Sequence, residues 1–318
     1  CPSTNPTETV ICNSIGMIAA GNTVVFMPHP SAKKVSNLAI DMVNRASVEV
    51  GGPENIVVAV KEPTMEVSNI VFKHKDVGLL VATGGPGVVT SVLSSGKRAM
   101  GAGAGNPPVL VDETANIPKA AEDIINGCTF DNNLPCIAEK EVVAVDMIVD
   151  ELIYHMEQAG CYHANAEEVQ KLIDTVFITK NGKRTLNRQC VGRSAKVLLG
   201  KIGVTVGDEI RCIIFEGEKT NPLIWEELMM PILGVVRVKN VDEGIEVAVE
   251  LEHGNRHSAH MHSTNVNNLT RYGKALDTAI FVKNGPSYAA LGFGGEGFAT
   301  FTIASRTGEG LTSAKTFT

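Results

Sequence analysis

The chain lacks the clustered lysine and arginine that a nucleic-acid partner requires. Lys and Arg total 28 against 35 Asp and Glu, a formal net charge of −7 with a pI near 5.7. Its short basic pairs, Lys33-Lys34 and Lys97-Arg98, read as solvated surface. No apolar run approaches the roughly 20 residues that a membrane span needs, and no secretory signal is recognisable. Cysteine is present but unpaired in pattern. The seven, Cys1, Cys12, Cys128, Cys136, Cys161, Cys190 and Cys212, are odd in number, scattered, and contain no C-x-x-C. That excludes a disulfide scaffold or a zinc knuckle and suggests a reduced, cytoplasmic chain. Internal repeats and low-complexity segments are absent too.

What remains is a globular chain of 318 residues, 44% hydrophobic and 20% charged, long enough for two domains. The first third alternates regularly. Thr7 to Ala20 reads as a helix capped by Thr7, Thr23 to Met27 as a buried strand, and Ser31 to Val50 as a helix ended by Gly51-Gly52-Pro53. Ile56 to Val60, Thr64 to Lys73 and Val77 to Ala82 continue as strand, helix and strand. Continuous apolar strands separated by helices predict an α/β fold with a parallel sheet covered on both faces. Further on, strands are expected at Val109–Val111, Glu141–Val145, Arg211–Phe215, Ile232–Val238, Ala259–His262 and Thr278–Val282. Helices are expected at Ile117–Ile125, near 146–159 and 166–175, at Glu243–Glu252 and at Val266–Ala275. Thr179 to Arg184 reads as a surface loop.

Two glycine clusters stand out. Thr83-Gly84-Gly85-Pro86-Gly87 joins a strand to a helix, where bare backbone N–H groups can meet an anion, although the G-x-G-x-x-G spacing is absent. Gly101 to Pro108 is so free of side chains that another element or a ligand must lie close to the backbone. The polar turn Asn132-Asn133-Leu134-Pro135 then delivers Cys136 just ahead of a strand, a plausible place for a nucleophile. Four histidines, His253, His257, His260 and His262, fall within ten residues. The i,i+4 pair raises a metal site, but no carboxylate stands at a defined spacing, so they read as surface or supporting residues and no metal is expected.

Seven stretches, in order, resemble the aldehyde dehydrogenase superfamily, and within it the coenzyme-A-acylating propionaldehyde and acetaldehyde dehydrogenases of bacterial microcompartments. They are Pro2 to Thr7, Pro28-His29-Pro30, Ala82 to Gly87, Gly101 to Pro108, Asn132 to Cys136, Glu226 to Pro231 and Val282 to Ser287. The resemblance implies a partial Rossmann-like cofactor domain over residues 1–102, a catalytic domain over 103–305 and the start of an oligomerisation tail over 306–318. It also implies that the abrupt start at Cys1 and the stop at Thr318 truncate a longer chain.

Carried over, the resemblance makes Cys136 the nucleophile that turns an aldehyde into a thioester as hydride passes to NAD. Asn5 becomes the amide donor of an oxyanion hole, and Glu227 the glutamate on the nicotinamide ribose. Thr83, Gly84, Gly85 and Val88 lie under the cofactor. Met27 replaces a usual lysine, so Pro28 and His29 border a channel that NAD and coenzyme A share in turn. Hydrolytic members place a glutamate base where this chain has Gly101-Ala102-Gly103. Without it no side chain activates water, and the thioester is expected to wait for the thiol of coenzyme A. His257 is a candidate for deprotonating that thiol.

The resemblance thus implies a short aldehyde (propionaldehyde ahead of acetaldehyde), a homo-oligomer, dimer or tetramer, and the lumen of a microcompartment with possible shell contact. The rival readings are an acetaldehyde-specific enzyme, a hydrolytic enzyme, and a truncated, non-catalytic core.

Overall fold

The computed structural model describes residues 1–305 and 307–318, which form two compact units, 1–104 with 297–318, and 105–296. The C-terminal residues therefore group with the first unit; the boundary expected at 306 lies outside the described residues.

The first unit opens with α1 (Pro6–Ala19), which starts one residue before the expected Thr7. Proline at the first helical position has no N–H to lose and a preset φ, so Asn5, not Thr7, occupies the cap. Then come β1 (Val24–Phe26), α2 (Lys33–Glu49), β2 (Val57–Ala59), α3 (Met65–Lys73), β3 (Leu79–Thr83), α4 (Pro86–Leu93) and β4 (Arg98–Ala102). The strands form two parallel pairs, β1 with β2 and β3 with β4, instead of one sheet covered on both faces. In the first pair Val25 and Val58 stay exposed, so only one face of the ribbon is packed. β4 went unread in the sequence because Gly101 and Ala102 carry no strand signal. Gly101 is glycine for room: a Cβ there would lie 2.8 Å from Val89 Cγ1.

The second unit contains β5 (Pro108–Val111), α5 (Ile117–Thr129), β6 (Glu141–Val145), α6 (Asp146–Gln158), β7 (Cys161–His163), α7 (Ala166–Val176), β8 (Phe177–Lys180), β9 (Lys183–Leu186), α8 (Ala195–Lys201), β10 (Cys212–Glu216), α9 (Pro222–Trp225), β11 (Ile232–Val238), α10 (Val241–Leu251), β12 (Ser258–His262), α11 (Val266–Leu276) and β13 (Ile280–Lys283). Seven of these strands make one parallel sheet in the order β13-β12-β5-β6-β11-β10-β7. Every residue of β5, β6 and β12 is buried, as a parallel sheet sandwiched between helices requires. Asparagines cap the covering helices: Asn116, Asn165, Asn240 and Asn265 each accept a backbone N–H of the first turn.

The loop expected at 179–184 is a hairpin. Asn181 and Gly182 take φ of 52° and 73°, the left-handed pair that a two-residue turn demands, and β8 pairs antiparallel with β9 around them. Two short strands, β14 (Ile303–Ala304) and β15 (Gly310–Leu311), close the first unit. No described helix is long and apolar enough to cross a membrane.

Candidate active site

The site grows from the amino ends of four neighbouring strands of the large sheet. Gly105 lies just before β5, Lys140 immediately before β6, Glu227 ahead of β11, and His257 immediately before β12. Since β12, β5, β6 and β11 are adjacent, their entrances converge. Open parallel sheets usually gather ligands at the carboxyl ends; here the chemistry-bearing groups sit at the opposite edge.

The turn that carries Cys136 is held in an unusual backbone. Asp131, Asn132 and Asn133 have φ of 46°, 49° and 66° in succession. Asp and Asn are the side chains that tolerate this left-handed region, which accounts for their presence here. Asn133 is 1% exposed. Its Nδ2 donates to Cys128 O (3.0 Å) and Glu139 O (2.9 Å), and its Oδ1 accepts from Lys140 Nζ (2.7 Å). The same ammonium donates to Asn133 O (2.9 Å) and Pro135 O (3.2 Å). Cys136 emerges from this knot half-buried.

Gly105 is where the predicted residues meet. A Cβ there would stand 2.8 Å from Cys136 O and 2.9 Å from the His257 ring, and the Gly105 N–H works to hold the pKa of the Glu227 carboxyl group down against burial. The reading of the Gly101–Pro108 run as a close backbone approach therefore holds at this position.

His257 is fully buried. Its N–H donates to Glu252 Oε1 (2.9 Å), Nδ1 lies 2.7 Å from Ser258 Oγ, and Nε2 has no partner among the described residues. Burial, then the charges of Lys140 and His260, brings its pKa down to about 4, so the ring is a neutral imidazole at physiological pH. Burial and the Glu227 charge push the Cys136 thiol up to about 12, against the pull of Lys140 and its own N–H. Burial also raises Glu227, opposed by Lys140 and the Gly105 N–H.

Of the two settings expected for the histidine cluster, surface or supporting, the structure gives the buried one to three of the four. His257, His260 and His262 are buried, and residues 253–257 lie beyond α10, so the i,i+4 spacing of His253 and His257 is not helical. His260 Nε2 lies 2.9 Å from Ile137 O, one residue past Cys136. His253 instead packs edge-on against Trp225, with ring centroids 4.6 Å apart. No group of three His, Cys, Asp or Glu among the described residues could hold a metal.

The remaining candidates belong to the first unit. Asn5 is 8% exposed; its Oδ1 accepts from Thr4 Oγ1 (3.1 Å), and no acceptor among the described residues takes its NH2. Pro28 and His29 follow β1, with His29 exposed and its Nδ1 accepting from Ser31 N–H. Thr83 ends β3, and Gly84, at φ 153°, leads into α4, where Val88 sits in the first turn. Gly85 caps α4 without a side-chain bond, and a Cβ there would meet nothing within 4 Å. An open, uncapped helix start suits the phosphates of a dinucleotide. Sequence reading missed Lys140, Glu139 and Glu141; charged residues between Ile137-Ala138 and Val142–Val145 gave no sign of burial.

Fold and site together define an α/β protein with a thiol-centred site at the amino edge of a parallel sheet. The chain belongs to the aldehyde dehydrogenase family, whose model matches residues 3–308. It is 49% identical to the acetylating acetaldehyde dehydrogenase EutE of Salmonella typhimurium, covering 99% of this chain and 68% of that one. Among solved structures it resembles a propionaldehyde dehydrogenase from the Clostridium phytofermentans fucose utilisation bacterial microcompartment (TM-score 0.96, 66% identity, 100% of this chain and 72% of that one). It also resembles the Rhodopseudomonas palustris propionaldehyde dehydrogenase with bound CoA and an acylated cysteine (TM-score 0.95, 56% identity, 99% and 72% covered).

Proposed function

We propose that this chain oxidises a short aliphatic aldehyde with NAD and transfers the acyl group to coenzyme A through a thioester on Cys136. The observation that carries the reading is the convergence of Cys136, Glu227 and His257 on Gly105. NAD supplies the hydride acceptor, and the open start of α4 with Gly84 and Gly85 suits its phosphates. Cys136, once deprotonated, attacks the aldehyde carbon, and on the strength of the resemblance its backbone N–H donates to the developing oxygen anion. Asn5 is the second donor and Glu227 the ribose-binding carboxylate on the strength of the resemblance. His257, neutral and with Nε2 unpartnered, is in the protonation state that a base for the incoming thiol needs.

Propionaldehyde is the favoured substrate, supported by the two propionaldehyde dehydrogenase structures; the EutE relative supports acetaldehyde as the alternative. The microcompartment origin of one relative supports a place in a microcompartment lumen, and a homo-oligomer is part of the same reading. Cys136→Ala is expected to abolish NADH formation, and intact turnover in that variant would end the thioester mechanism. With coenzyme A omitted, acid release should be slow; rapid release would favour hydrolysis. Comparing kcat/KM for propionaldehyde and acetaldehyde decides the substrate.

A further inference from the structure

Lys140 has no part in the scheme above, yet it is 4% exposed and spends its three donor hydrogens on the turn that presents the thiol. A buried ammonium is costly unless its hydrogens are all accepted. Here every acceptor comes from Asn133 or Pro135, the latter directly before Cys136. A neutral glutamine or serine could pin a turn at less cost, so the choice of a cation needs its own reason.

We propose that Lys140 is the positioning residue of Cys136: it clamps the Asn133–Pro135 turn and brings an ammonium next to the residue that carries the thiol, favouring the thiolate. Burial lowers the pKa of that ammonium. The proposal rests on Cys136 being the nucleophile.

The surroundings leave that task to Lys140. Around the thiol and the ammonium are Glu139 and Glu141 from either side of Lys140 in sequence, Glu227 from the segment before β11, His257 from just before β12 with His260 beyond it, and Cys128 from α5. Burial holds both histidines neutral and raises the carboxyl groups of Glu139, Glu141 and Glu227. Burial of the thiol and any charge on Glu227 both disfavour the thiolate, and Lys140 is the side chain that opposes them. An opposite charge within about 4–6 Å commonly moves a pKa by one unit or more. One unit is about a tenfold change in thiolate; because a thiolate of higher pKa is intrinsically more reactive, the net change in alkylation rate is about threefold.

The test measures iodoacetamide alkylation of the Cys136 peptide by mass spectrometry between pH 7 and 9, which needs no turnover. Lys140→Gln keeps two donors and loses the charge. It should alkylate about threefold more slowly than the parent at each pH. Lys140→Arg should restore the parent profile. An unchanged profile in a folded Lys140→Gln protein overturns the proposal. If that variant does not fold, Cys136→Asp and Cys136→Ala carry the test. The ammonium pKa of Lys140, followed by NMR of lysine-labelled protein, should be about one unit higher beside aspartate than beside alanine. Equal values would overturn the proposal. Retained turnover in Cys136→Ala would instead refute the nucleophile assignment, so the two failures are distinct.

Discussion

The carbonyl oxygen of Cys136 and the imidazole of His257 face each other across Gly105, which leaves no room for a methyl group: a Cβ would lie 2.8 Å from one and 2.9 Å from the other. Neither neighbour is the loose end of a flexible chain. One is backbone and the other a buried ring held at Nδ1, on a residue whose backbone N–H is tied to Glu252. Gly105→Ala must therefore shift the cysteine turn or tilt the histidine. Overpacking of this kind costs about 1–3 kcal/mol, and a displacement near 1 Å at reacting groups costs about a hundredfold in rate. The variant should lose roughly that factor in kcat, with a smaller change in aldehyde KM. Gly200→Ala is the matched control, because Gly200 sits in α8 with nothing within 4 Å of an added Cβ. It should raise stability by about 0.5–1 kcal/mol and leave kcat alone.

Asn133 ties together the end of α5 through Cys128, the strand entrance through Glu139, and the Lys140 ammonium. Asn133→Ala removes one of the three acceptors of a buried ammonium and takes a donor from two carbonyls, while leaving φ at 66° for a residue that disfavours it. Unsatisfied buried partners cost about 1–3 kcal/mol each. A loss of roughly 3 kcal/mol in urea-unfolding stability is expected. Asn133→Gly, which accepts the backbone angle, should recover about 1 kcal/mol of it. Equal stability of the two variants would show that backbone strain plays no part in the turn.

Much of this site was open to sequence reading, and what was hidden has a common cause. Cys136 was marked by a polar turn ahead of an apolar strand, and Gly105 by a run too bare to be surface. The strand entrances at Glu141, Ile232 and Ser258 could be placed to within about a residue, because buried parallel strands read as unbroken apolar runs. Lys140 and Glu139 could not be found that way. Charged residues at a strand mouth look solvated until the neighbouring strands are known to close over them, which is a fact of strand order and not of local pattern. The strand that carries His260 and His262 was legible, and the same closing of neighbours decides that they are buried in it. The hairpin at Asn181-Gly182 was a different failure, since Asn-Gly between short strands is itself a turn signal and was passed over for the charges around it.

Glu139 gives the clearest pH dependence. Its Oε1 accepts Ser287 N–H at 2.8 Å, its Oε2 has no partner among the described residues, and burial pushes its pKa up to about 8 from an ordinary 4.5. A carboxyl group whose folded pKa is raised holds its proton in the native state after the unfolded chain has released it. Between pH 4.5 and 8 the folded protein therefore binds more protons than the unfolded one, and stability falls as pH rises through that window. Glu139→Gln copies the neutral acid, can still accept from Ser287, and does not titrate. The loss of stability between pH 5 and 8 should be smaller in the variant than in the parent, by an amount on the order of a few kcal/mol at about 1.4 kcal/mol per unit. Urea unfolding of both proteins at pH 5, 6.5 and 8 measures it. Parallel curves would place the Glu139 carboxylate in an ionised, solvated setting, and a parent that gains stability relative to the variant as pH rises would mean that the ion finds a cationic partner, for which Lys140 next in sequence is the nearest candidate.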